Sequence, residues 1–161
     1  MTVLWRIAAV ASLQGRGAER ANGRWHTAAS GRRLLYLSEH PAVALIETLV
    51  NLQFDAADWP MPAALLRVHA ARAVRVGELT ERRLPAGWRD DPAATRALGD
   101  RWLSRGETAL LRVPSAPAPE SHNFLFNPLH PQARLVRILW QRPLHYDQRL
   151  FRLAVTAPGP H

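Results

Sequence analysis

Leu35-Tyr36-Leu37-Ser38-Glu39-His40-Pro41-Ala42-Val43-Ala44-Leu45-Ile46-Glu47-Thr48-Leu49-Val50 is the stretch on which the fold turns. The apolar run Leu34-Leu35-Tyr36-Leu37, opened by Gly31, reads as a strand. Pro41 suits a first helical turn, because its fixed φ fits there and an N–H at that point would have no partner. The apolar residues after it recur at helical spacing. A strand therefore runs straight into a helix, and Glu47 is the only acid inside that helix. With Ala44, Leu45 and Ile46 before it and Val50 one turn on, this carboxylate is either partly exposed at a helix edge or aimed into a cleft.

Upstream, residues 3–10 form an apolar run interrupted by Arg6 and predict a first strand, followed by a Gly- and Arg-rich loop over 15–23. Downstream, Leu65-Leu66-Arg67-Val68-His69 alternates as a strand, with 74–76 extending or following it. After the turn-rich residues 85–92, Asp91-Pro92 leads into a helix over 93–104. Leu98, Trp102 and Leu103 share one face of it, and Arg105-Gly106 is its stop. Residues 109–113 predict a strand running into Pro114-Ser115 and a proline-rich loop, 116–120. A strand over 123–127 is stopped by Pro128, and 135–140 and 150–155 read as closing strands. Five to seven short strands and two or three helices, without regular alternation, predict an α+β fold: a compact single domain with a central, mostly antiparallel or mixed sheet flanked by helices. Its 161 residues suit one domain. We set it at 1–156 with a frayed tail over 157–161.

The net charge of +8 comes from arginine alone, since all 21 basic residues are Arg and none is Lys. Guanidinium groups suit phosphate recognition and could attract nucleic acid or an acidic protein. Biased genome composition gives the same excess, and the arginines are spread along the chain instead of forming a basic block. With no cysteine, disulfides, thiolate nucleophiles and Cys-ligated zinc are excluded. The start lacks a signal-peptide pattern and no window approaches a membrane span, so the expected place is the cytoplasm.

There is no GxGxxG after a strand, no P-loop, no HExxH and no GxSxG. His122, His130 and His145 lie in loops without metal-ligand spacing, so no metal is expected. Three local features are less generic: Gly23-Arg24-Trp25, where a loop delivers an arginine beside an aromatic; the strand with Tyr36 leading to Glu47; and Val113-Pro114-Ser115, followed by Asn127-Pro128-Leu129-His130-Pro131. Each has an ordinary reading: a surface cation–π pair, a core tyrosine with a helix-edge acid, and a turn serine.

Taken in order, with Leu4-Trp5-Arg6-Ile7 before them and Asn123-Phe124-Leu125-Phe126-Asn127 near the end, these pieces resemble the RES domain, a family named for its Arg, Glu and Ser. The resemblance covers most of the chain. His26 departs from it, standing where many relatives have Asn, and residues 55–108 carry no matching motif. The resemblance implies an ADP-ribosyltransferase-like fold and the toxin of a type II toxin–antitoxin module paired with an Xre-type antitoxin. The substrate it implies is NAD, cleaved at its nicotinamide–ribose bond by an NAD glycohydrolase, NAD phosphorylase or ADP-ribosyltransferase-like reaction, with no separate cofactor. Arg24, Glu47 and Ser115 are then the catalytic residues. Arg24 would face the pyrophosphate, Ser115 the ribose or nicotinamide amide, and Glu47 the ribose ring as positive charge develops. Tyr36 and Asn127 are further candidate NAD contacts. Two alternatives are an Arg-rich nucleic-acid-binding domain, for which no binding motif is found, and a non-enzymatic interaction module, which a separation of Ser115 from Glu47 would favour.

Overall fold

The computed structural model describes residues 2–51 and 62–150. Its strands are β1 (Thr2–Ala8), β2 (Leu35–Ser38), β3 (Ala64–Ala70), β4 (Val76–Glu78), β5 (Leu110–Pro114), β6 (His122–Phe126) and β7 (Val136–Pro143), with helices α1 (Pro41–Asn51) and α2 (Pro92–Arg105). The strands form one sheet in the order β4-β5-β6-β2-β1-β3-β7, all antiparallel except the β4–β5 pair. This is the α+β class expected.

The sheet works as two halves. β1 follows β3 over its whole length but meets β2 only at Trp5 and Ser38. Leu4, Leu66, Val68 and Ala70 from the first half and Leu35, Leu37, Phe124 and Phe126 from the second are buried in one core. The opposite face of the second half carries Leu111, Val113 and Leu125, buried with Trp25, Trp88 and Trp102. Strands β2, β5 and β6 are thus covered on both faces, which is why they read in sequence as near-continuous apolar runs without polar alternation.

Helix α2 closes the second core. The Asp91 side chain accepts the N–H groups of Ala93 and Ala94, Pro92 occupies the first turn, and Gly106 ends the helix in the left-handed conformation at φ 58°. Where α2 crosses the Arg24–Trp25 backbone it carries Gly99, whose missing side chain is what lets the two backbones touch.

The structure resolves or trims two of these readings. Val74 donates its N–H to Ala71 O in a turn, so β4 follows β3 as a separate strand and pairs parallel with β5. The first strand ends at Ala8, where its partner β3 also ends, leaving Val10 exposed. The strand expected over 150–155 falls outside the described residues from 151 onward; Leu150 itself is helical, its N–H donating to Asp147 O. The domain limit at 156 and the tail 157–161 also lie outside them. Among the described residues no helix is long and apolar enough to cross a membrane.

Candidate active site

The site is built at the C-terminal end of β2. Ser38 pairs with Asn123 of β6, and Asn123 with Val113 of β5, so the side chains of Ser38 and Asn123 share one face. The chain leaving Ser38 enters α1 at Pro41, and α1 returns over the sheet with Glu47 in its second turn. There Ser115 Oγ donates to Glu47 Oε1 at 2.7 Å, and Asn123 Nδ2 donates to the same oxygen at 2.5 Å. Ser38 Oγ donates to Asn123 Oδ1 at 2.7 Å. Ser115 also closes the proline-rich loop: its N–H donates to Ser121 O, and its Oγ accepts the N–H of Ala118. Glu47 and Ser115, 68 residues apart, are in direct contact. Ser115 is only 1% exposed, so its hydroxyl supports Glu47 from inside the wall and does not face the cleft.

Arg24 arrives on a loop held from both sides. Gly23 N–H donates to His26 O, Thr95 Oγ1 donates to Arg24 O at 2.7 Å, and Arg96 Nε donates to Gly23 O at 2.9 Å. The guanidinium is steadied by Arg24 Nη1 donating to Trp88 O. A Cβ at Gly23 would lie 2.3 Å from the Tyr36 hydroxyl, so only glycine lets the loop close on that ring.

His26 holds Tyr36. Its Nε2 faces Ala21 O at 3.0 Å and must donate, since a carbonyl only accepts. With burial also pushing its pKa below the usual histidine value, the ring is neutral near pH 7 and Nδ1 is an acceptor. The Tyr36 hydroxyl therefore donates to Nδ1 at 2.8 Å and accepts the N–H of Trp25 at 3.0 Å. Burial raises the Tyr36 pKa, so the phenol stays protonated. A depressed folded-state pKa makes the unfolded chain the better proton binder as pH falls below ~6.5. We expect His26 to cost nothing at pH 7 and to lower the urea midpoint progressively in acid. His26→Asn, which takes up no proton, gives a shallower acid limb, and equal limbs in the two proteins would refute this.

Arg24, Tyr36, Glu47 and Asn123 line a cleft of about 800 Å³ that Arg6 and Trp5 also border, within the range of small-molecule sites. Arg6 is a cleft residue that sequence reading did not single out, although an arginine interrupting an apolar strand was its visible trace. Arg6 Nη1 donates to Tyr36 O at 2.9 Å, and its Nε is buried with no partner among the described residues. Burial lowers its pKa from the ordinary guanidinium value, yet a guanidinium remains charged, so the cleft wall holds a cation short of partners. Asn127 is not brought to the site. Its Oδ1 accepts the N–H of Leu129 in a turn, and its N–H reaches Ala109 O, beyond the far end of β6. Asn123, at the near end of the same strand, is the asparagine that touches Glu47.

Comparison with known proteins gives matches of three kinds, to a family model, to relatives and to a solved structure. The model of the RES domain family matches residues 3–148. The chain is 43% identical to Toxin Res of Pseudomonas putida over 92% of its length and 99% of that protein's. It is 34% identical to the Prs ADP-ribosylating toxin of a Sphingobium species, over 95% of this chain and 99% of that one. Among solved structures, a chain of the M. tuberculosis MbcT–MbcA toxin–antitoxin complex superposes with a TM-score of 0.73 at 17% identity, covering 89% of this chain and 84% of that one, which shows a shared fold.

Proposed function

The chain belongs to the RES domain family, and on that premise we propose that it is the toxin of a toxin–antitoxin pair, acting on NAD by breaking the bond between nicotinamide and ribose. The observation that carries this reading is the carboxylate of Glu47, held by two donors at the edge of a cleft that also presents Arg6 and Arg24. When the C1′–N1 bond breaks, its electron pair goes to the nicotinamide nitrogen, and positive charge develops on the ribose. A fixed carboxylate beside that ring lowers the barrier, as in glycoside cleavage. The negative pyrophosphate needs cationic partners. Arg24 is one, and the partly unpartnered Arg6 is a second. Tyr36, fixed by His26, shares with Trp5 and Trp25 the aromatic part of the wall, against which a planar nicotinamide packs.

Ser115 leaves the list of substrate contacts in this reading and acts through Glu47. Asn127 leaves it altogether. The partner in this reading is an antitoxin, supported by the toxin–antitoxin complex in which the structural neighbour is found; the Xre type is what the sequence resemblance implies. The experiment is NAD consumption by the purified chain, with nicotinamide quantified and the ADP-ribose product followed into water, phosphate or protein. We expect Arg24→Ala to reduce kcat/KM about ten- to hundredfold, mostly through KM, because a charge-assisted contact to the pyrophosphate is lost. Intact NAD with the unmodified chain under all acceptor conditions would overturn the reading.

A further inference from the structure

The hydrogen-bond senses around Glu47 are forced, and they point to a relay with a purpose. A carboxylate only accepts, so the Asn123 amide must turn its Nδ2 to Glu47 and its Oδ1 away. An amide oxygen only accepts, so Ser38 must donate to it. Ser115 receives the Ala118 N–H and spends its single hydrogen on Glu47. Both donors reach Oε1, and among the described residues Oε2 accepts no hydrogen bond. Ser38 and Asn123 are 5% and 6% exposed, so water competes little for these contacts.

We propose that Ser38 and Asn123 are positioning residues that lock Glu47 Oε1 into the wall and leave Oε2 as the oxygen that faces the reacting ribose. The inference deepens the NAD reading and rests on it. A free glutamate side chain on an exposed helix turn rotates about its terminal bonds; here two donors to one oxygen fix the carboxylate plane, so the charge is in place before substrate enters. Asn123 in turn cannot flip, because the flip would set its amide oxygen, an acceptor, against the Glu47 carboxylate, which also only accepts. The relay comes from the direct Ser38–Asn123 pairing of β2 and β6, so the sheet register itself aims the carboxylate.

The test is the pH profile of nicotinamide release in three variants, beside unfolding midpoints. Asn123→Ala is expected to lower kcat roughly ten- to hundredfold with KM for NAD little changed, and Ser38→Ala to lower it by less. Asn123→Asp sets a second carboxylate against Glu47, and two such groups in contact share a proton. The acid limb of kcat should then move to higher pH by about one unit or more, while the other charges of the cleft, Arg6, Arg24, Arg89 and Asp90, are untouched. A residue 123 that did not touch Glu47 would leave that limb in place. Wild-type kcat in Ser38→Ala and Asn123→Ala, or an unmoved limb in Asn123→Asp, would overturn the relay while leaving the NAD reading intact. A readout without NAD keeps the two separable. Ser38 and Glu47 are linked through Asn123, so the urea midpoints of Ser38→Ala, Glu47→Ala and the double variant should be non-additive. Strict additivity would overturn the relay whatever the substrate proves to be.

Discussion

Glu47→Gln is expected to slow nicotinamide release about a thousandfold or more while leaving the unfolding midpoint close to that of the unmodified chain. The substitution is nearly isosteric, and the amide oxygen of glutamine still accepts from Ser115 and Asn123, so the wall of the cleft survives. What is lost is the negative charge opposite the developing oxocarbenium ion. In a partly buried site that charge acts through a lower effective dielectric than water and is worth several kcal/mol at the transition state. Single-turnover release of nicotinamide measures the step directly, with circular dichroism as the control for folding. A rate within tenfold of the parent would remove Glu47 from the chemistry and favour a module that binds without catalysing.

The largest effect on stability is expected at Gly99. Glycine inside a helix usually costs about 1 kcal/mol relative to alanine, so Gly→Ala in an exposed helix normally stabilises. Here the sign reverses. A Cβ on residue 99 would lie 1.8 Å from Trp25 O and 2.8 Å from Trp25 C, both rigid backbone atoms, so α2 must move away from the loop it closes. Gly99→Ala is therefore expected to destabilise by at least about 3 kcal/mol, lowering Tm by roughly 6–12 °C for a chain of this size. Because Thr95 and Arg96 on the same helix hold the carbonyls of Arg24 and Gly23, NAD turnover should fall in the same variant even at temperatures where it stays folded. A Tm at or above that of the parent in differential scanning calorimetry would show that the loop yields and that the close contact is not a constraint.

The elements were largely legible because their signals are local. The Pro41 start, the Asp91 cap, the Gly106 stop and the apolar runs of β2, β3, β5 and β6 each depend on neighbours a few residues away. Residues 74–76 were ambiguous for the opposite reason: the three residues of β4, Val76–Glu78, carry little periodicity, and their strand character comes from pairing with β5. At the site, the wording of the motifs picked out Arg24, Glu47 and Ser115 in order, but not which of their atoms meet. A hydroxyl in a proline-fixed loop gives no sign of which way it turns, and in the structure Ser115 turns to the Glu47 carboxylate.

By itself, then, the sequence determined which residues carry charge and hydrogen-bonding capacity, where strands give way to helices, and that one arginine interrupts the first strand. The tertiary structure decided that this Arg6 borders the cleft with Arg24, that Asn123 and not Asn127 meets Glu47, and that Ser38 stands behind it. The physical reason is the two-residue period of a strand. It tells which residues share a face, but leaves open which strands pair and at what register, and here the register of β2 on β6 places Ser38 opposite Asn123 and sets both beneath the helix that follows.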